Sequence, residues 1–140
     1  MPPQPQTEQT ASQSALTKIL CIEDEHFIGE LYARALTKAG YDVTVINDGE
    51  QGLAAAQTDA YDIILLDLMV PSITGIEILG RLRDTAQTPS LHAKIIVTTN
   101  LEQRDEIKAT IEQQADGYIV KAEITPNELA AFLKNLEQSA

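Results

Sequence analysis

Positive charge is scarce in this chain. Its 140 residues carry 10 Lys and Arg against 21 Asp and Glu, a formal net charge of −11. Nonspecific binding to nucleic acid or anionic membranes needs a basic face, so direct contact with either is not expected. Anionic partners in general are disfavoured unless a metal mediates the contact. Cysteine is almost absent. Cys21 stands alone, so no internal disulfide can form. Its place within the apolar run Ile19-Leu20-Cys21-Ile22 predicts a buried thiol rather than a reactive one. No apolar stretch approaches the length of a membrane span. No basic patch leads into an apolar segment at the N-terminus, so no secretory signal is read there and the cytoplasm is the expected compartment.

The length suits one domain with a sizeable core. Residues 1–16 are rich in Pro, Gln, Ser and Thr with little to bury, which predicts a disordered tail ahead of a domain over 17–140. From there, short apolar runs alternate with helical patterns. Strands are expected at Lys18–Ile22, Asp42–Ile46, 62–66, 94–98 and Gly117–Val120. The first helix should bury Phe27, Ile28, Leu31, Tyr32, Ala35 and Leu36 and end at Gly40. Asn47 or Asp48 should cap a short second helix. A third, over 75–84, should face inward through Ile76, Leu79 and Leu82. A fourth over 102–114 has only Ile107 and Ile111 as strongly apolar residues, aided by Ala109, which predicts low local stability. A fifth opens with Thr125-Pro126-Asn127-Glu128, a capping box with proline at the first helical position, and should bury Leu129, Phe132, Leu133 and Leu136. Five such β/α units imply a doubly wound parallel sheet with right-handed crossovers.

The chemistry gathers at strand ends. Glu23 and Asp24 close the first apolar run, and Asp67 closes Ile63-Ile64-Leu65-Leu66. If those strands are parallel neighbours, the three carboxylates share the carboxyl edge of the sheet, where open α/β folds bind ligands. Crowded like charges repel unless a positive group lies among them. A hard divalent cation with oxygen ligands, Mg²⁺ above all, meets that need. Glu25 and His26 extend the acidic run and read as solvated loop residues, and His92 in its polar loop reads as structural or exposed.

Four motifs occur in order: Glu23-Asp24; Asp67-Leu68-Met69-Val70-Pro71-Ser72-Ile73-Thr74-Gly75; Thr98; and Tyr118-Ile119-Val120-Lys121. Together they make the chain, from about Lys18 to its end, resemble the receiver domain of two-component response regulators, in the stand-alone CheY-like form. The resemblance implies a flavodoxin-like fold, five strands in order 2-1-3-4-5 with five helices. It implies that Asp67 accepts a phosphoryl group from a histidine kinase or phosphotransfer protein. Mg²⁺ would be held by Glu23, Asp24, Asp67 and the backbone carbonyl of Met69. Lys121 and Thr98 would contact the phosphoryl oxygens. Thr98 and Tyr118 would form the switch, repacking a face of helix 4, strand 5 and helix 5 that a downstream protein reads. Met69 and Asn100 would flank the path of hydrolytic water and tune the lifetime. Such a protein is not an enzyme in the ordinary sense, catalysing only its own phosphorylation and dephosphorylation. No output domain is read in the chain. With Arg104 and Lys108 on helix 4 but no arginine on helix 5, a monomer is favoured, with dimerisation on phosphorylation left open.

Three positions depart from the commonest family pattern. Glu23 stands where aspartate is more frequent, and Thr99 where a smaller residue is usual. Ala122 replaces the proline that usually follows the lysine through a cis bond. A cis bond before alanine costs about 2.5–4 kcal/mol, against ~0.5–1 before proline, so a trans Lys121–Ala122 bond is expected. Three other readings compete with this one. A degenerate receiver would act as a binding module only. A phosphatase of the haloacid dehalogenase type needs two aspartates two residues apart after strand 1, whereas Glu23 and Asp24 are adjacent. A flavin phosphate would need backbone donors where this chain presents Glu-Asp-Glu.

Overall fold

The computed structural model describes residues 16–138. Its elements run β1 (Lys18–Ile22), α1 (His26–Lys38), β2 (Asp42–Ile46), α2 (Gly49–Gln57), β3 (Ile63–Asp67), α3 (Gly75–Arg83), β4 (Lys94–Thr99), α4 (Asp105–Gln114), β5 (Gly117–Val120), a 3₁₀ turn (Lys121–Glu123) and α5 (Pro126–Gln138). The sheet is parallel throughout, in order β2-β1-β3-β4-β5. This is the doubly wound, flavodoxin-like arrangement expected. The proposed tail falls almost wholly outside the described residues.

Side chains alternate across each strand, so both faces of a central strand must be covered. Leu20, Ile22, Ile64, Leu66, Ile95 and Val97 face one way and pack with Leu53, Ile78, Leu79, Leu82 and Ile111 from α2, α3 and α4. Ile19, Cys21, Ile63, Leu65, Ile96 and Ile119 face the other way and meet Tyr32 and Leu36 of α1 and Leu129 and Leu133 of α5. Cys21 is buried as expected, and burial is the leading cause that pushes its thiol up to about 12.

The caps follow the sequence. Gly40 takes φ +102 just past α1, a conformation that costs glycine little. The Asp48 carboxylate accepts the Gln51 N–H at 3.0 Å to open α2. The capping box of α5 closes both ways: the Thr125 N–H donates to Glu128 at 2.8 Å, and the Glu128 N–H to the Thr125 hydroxyl at 3.1 Å.

Several expectations need correction. Phe27 is exposed rather than inward, as is Ile76, whose place in the core is taken by Ile78. Both sit in the first turn of a helix leaving the sheet edge, beyond what the sheet can cover. Phe132 is also not fully buried, with about a third of its surface exposed (36%). Its ring end would lie 3.3 Å from a Cβ at Gly117, so it leans over the edge strand. Helix α4 starts at Asp105, three residues later than expected, and only Ile111 is fully buried along it. Ala109 lies on its exposed side. β3 lies one residue later than expected, at Ile63–Asp67, and β4 extends one residue further, to Thr99.

Candidate functional site

β1 and β3 are parallel neighbours, with Ile22 level with Leu66. Glu23 follows β1 directly and Asp67 ends β3, so both reach the carboxyl edge of the sheet from adjacent strands. Both are buried, at 1% and 2% exposure. Lys121 follows β5, two strands away from β3, and its side chain extends back into the same pocket. Its ammonium lies 2.8 and 3.0 Å from the two Glu23 oxygens and 3.2 Å from Asp67 Oδ2. Glu25, which the sequence offered only as a solvated residue, stands 3.8 Å from the same ammonium.

The electrostatics follow from this crowding. Burial raises the Glu23 carboxyl to about 7, helped by the nearby Asp67 charge and opposed by the Lys121 hydrogen bond. Burial works to lower the Lys121 ammonium, but Glu23 and Asp67 outweigh it and hold the group above its ordinary value. Backbone donors fix the carboxylates. The Met69 N–H donates to Asp67 Oδ1 at 3.0 Å, and the Glu25 N–H to Glu23 Oε2 at 3.1 Å. The Asn47 side chain donates to the Glu23 carbonyl at 2.8 Å, tying the acidic turn to the end of β2.

Thr98 is level with Asp67 across the β3–β4 pair and is buried. Its carbonyl accepts the Leu68 N–H at 3.0 Å, fixing the start of the loop that follows the carboxylate. That loop is pinned at its far end by close approach. A Cβ on Gly75 would stand 2.5 Å from the Asp67 carbonyl oxygen and 2.6 Å from Leu68 Cα, so only glycine fits. The Gly49 N–H donates to the Pro71 carbonyl at 3.0 Å. The Ser72 hydroxyl donates to Asp48, which holds Ser72 at φ +79. Asp24, Met69 and Asn100 are exposed at the rim. Tyr118 is half-buried on β5, level with Val97. His26 opens α1 and is exposed, away from these contacts.

Among the described residues no cis peptide occurs, so the Lys121–Ala122 bond is trans as expected. The 3₁₀ turn carries the chain onward, and the lysine stem still reaches the pocket.

The residues fit a hard cation. Their donors are carboxylate oxygens, the ligand type Mg²⁺ prefers. The buried Glu23 Oε1 has no hydrogen-bond partner. Lys121 sits close to that oxygen as an ion pair, without the angles of a hydrogen bond. Among the described residues, however, no three His, Cys, Asp or Glu side chains are gathered as a ready cage. The ammonium stands between Glu23 and Asp67 instead.

A 2-1-3-4-5 parallel sheet, with an acidic pair after β1, an aspartate ending β3, a threonine beside it on β4 and a lysine returning from β5, defines a receiver domain. Residues 19–134 match the response regulator receiver domain family, and the chain belongs to it. It is 41% identical over 106 residues to the response regulator ArlR of Staphylococcus saprophyticus, covering 76% of this chain and 46% of that protein. The chain thus spans less than half the length of the curated relatives it matches. The chemotaxis protein CheY4 of Vibrio cholerae is 30% identical, with a TM-score of 0.73 over 86% of this chain and 98% of that one. A CheY-like receiver domain from Methanospirillum hungatei shares the fold at 24% identity, with a TM-score of 0.76 over 89% of this chain and 96% of that one. Membership places the chain in two-component signalling. Receivers as a class bind Mg²⁺. No helix among the described residues is long and apolar enough to cross a membrane.

Proposed function

We propose that the chain is a phosphorylatable switch whose acceptor is Asp67. The observation that carries this reading is the Lys121 ammonium held between the buried Glu23 and Asp67. A cation aimed at a buried carboxylate at a sheet's carboxyl edge is placed to meet an incoming dianionic group. One Asp67 oxygen attacks the phosphorus of a phosphohistidine on a histidine kinase or phosphotransfer protein. The new O–P bond forms as the N–P bond breaks, and its electron pair returns to the imidazole nitrogen. The Met69 N–H keeps the other Asp67 oxygen oriented. Lys121 exchanges Glu23 for the phosphoryl oxygens, and the Thr98 hydroxyl donates to the same group. Glu23, Asp24, Asp67 and the Met69 carbonyl would hold Mg²⁺, which when bound neutralises charge on the transferring phosphoryl group.

The product is an acyl phosphate, and the protein acts as its own substrate rather than as an enzyme turning over others. Met69 and Asn100, both at the rim, flank the path of the water that hydrolyses it. Output runs through Thr98 and Tyr118 to the face of α4, β5 and α5, and from there to a protein partner. The acidic character of the chain favours a protein over a nucleic acid as that direct partner; the setting is cytoplasmic, and the lack of arginine on α5 favours a monomeric ground state. Mass spectrometry after treatment with acetyl phosphate and Mg²⁺ tests the assignment. A phosphoryl adduct present in the parent and absent in Asp67→Asn supports the switch. No adduct in the parent leaves a binding module only.

A further inference from the structure

The segment between β4 and α4 is bound to Tyr118 by contacts that phosphoryl transfer itself does not use. Thr99, buried and next to Thr98, donates its hydroxyl to the Leu101 carbonyl at 3.0 Å. The Gln103 side-chain amide donates to Thr99 Oγ1 at 3.1 Å and to the Leu101 carbonyl at 2.9 Å. Gln103 also donates its backbone N–H to the Tyr118 hydroxyl at 3.0 Å. Lys108 stands 5.4 Å from the centre of the Tyr118 ring while pairing with Glu102 at 2.7 Å, a cation–π placement that steadies an aromatic ring. A loop that needed only to turn would be closed by Thr99 and Leu101. Gln103 instead holds the end of β4 with its side chain and β5 with its backbone.

We infer that Gln103 is a positioning residue, a clasp that couples the end of β4 at Thr98-Thr99 to the orientation of Tyr118. This deepens the proposed function and rests on Asp67 as the acceptor. Thr99 has no slack relative to Thr98, which is level with Asp67. Any displacement of Thr98 toward a group on Asp67 therefore pulls on Thr99, and through Gln103 on the tyrosine hydroxyl. Coupling of this kind is reciprocal, so the state of Tyr118 must alter affinity at Asp67 by the same factor.

The test is a double-mutant cycle on the full chain, read by its affinity for beryllofluoride with Mg²⁺ as a stand-in for the phosphoryl group. Gln103→Glu keeps the size of the side chain but replaces its two donors with acceptors. Tyr118→Phe keeps the ring and removes the oxygen that Gln103 meets. Each should shift beryllofluoride affinity about threefold or more, and the double variant no further than the larger single one, as for residues acting through one contact. In nuclear magnetic resonance spectra of the parent, the Tyr118 ring signals should move on beryllofluoride addition. In Gln103→Glu they should not. Additive single effects, with the ring signals moving in both proteins, overturn the clasp and leave the acceptor reading intact. A parent that takes up no beryllofluoride overturns the acceptor reading, and the clasp with it. Thr99→Val, of the same shape but without the hydroxyl, runs the same cycle should Gln103→Glu not fold.

Discussion

The Lys121 ammonium lies 2.8 Å from Glu23 Oε1 and 3.0 Å from Oε2, although the two residues are 98 positions apart in the chain. Both are nearly removed from solvent, and Asp67 shares the same cation at 3.2 Å. A buried pair of this kind is a poor source of net stability, yet losing one member leaves an uncompensated charge.

Lys121→Met should therefore destabilise the metal-free protein by about 3 kcal/mol at neutral pH, since two buried carboxylates would lose their partner. Adding Glu23→Gln and Asp67→Asn to that variant should recover most of the loss. Urea unfolding of the three proteins decides it; a Lys121→Met protein as stable as the parent would show that the pocket tolerates its own repulsion.

Mg²⁺ should raise the melting temperature of the parent. Binding confined to the native state adds about 2.7 kcal/mol when the ion is at a hundred times its dissociation constant. Asp24→Ala should abolish this response and acetyl phosphate labelling together. A melting curve that still responds to Mg²⁺ in Asp24→Ala would remove Asp24 from the ligand set.

Met69 is 70% exposed beside the acceptor, and its thioether cannot orient a hydrolytic water as an amide can. Met69→Asn should shorten the lifetime of the acyl phosphate several-fold, measured by loss of the adduct with time. An unchanged or longer lifetime sinks this role for Met69.

Gly75→Ala should both destabilise the fold and weaken phosphorylation. Its Cβ would sit 2.5 Å from the Asp67 carbonyl oxygen, and inserting a methyl group into a packed site costs about 1–3 kcal/mol. Gly80→Ala is the control, because a Cβ there meets nothing within 4 Å. Gly80→Ala should be neutral or stabilising, since alanine is the better helix former, and a Gly75→Ala protein as stable as the parent would dismiss the close approach.

His92 carries a separate pH dependence. Its two ring nitrogens lie 2.6 Å from Asp59 and 3.0 Å from Asp62. Both can donate only in the imidazolium, so the hydrogen bonds to Asp62 and Asp59 hold His92 above its ordinary 6.5. The folded state then binds the proton more tightly than the unfolded chain. The stabilisation is fully present below pH 6.5 and is lost as pH rises through the higher folded value. Denaturant midpoints followed upward from pH 6 should fall in the parent more than in His92→Gln, and parallel curves would dismiss a stabilising role for the His92 contacts.

Much of the fold was legible locally because its signals are local. The edges of β1, β2 and β5 follow from where apolar runs meet glycine or charged and polar residues, and the caps at Gly40, Asp48 and Thr125 follow from backbone chemistry within a few residues. The faces of Phe27, Ile76 and Phe132 were misjudged because helical periodicity says which residues share a side, not how far the sheet extends beneath them. In the sequence Asn47 reads as a helix cap, Glu25 as a solvated residue and Gln103 as part of helix 4; each acquires its role from a partner on another segment.

The sequence alone determined the alternation of strands and helices, the acidic pair after β1, the aspartate at the end of β3 and the net charge of −11. Each is a property of neighbouring residues or of composition. Tertiary structure decided that Lys121 stands between Glu23 and Asp67, that Gly75 must admit the Asp67 backbone, and that Gln103 holds Tyr118. Those contacts join segments whose proximity exists only once the strand order β2-β1-β3-β4-β5 is set. That order is fixed by burying both faces of β1, β3 and β4 at once, which no stretch of chain can do by itself.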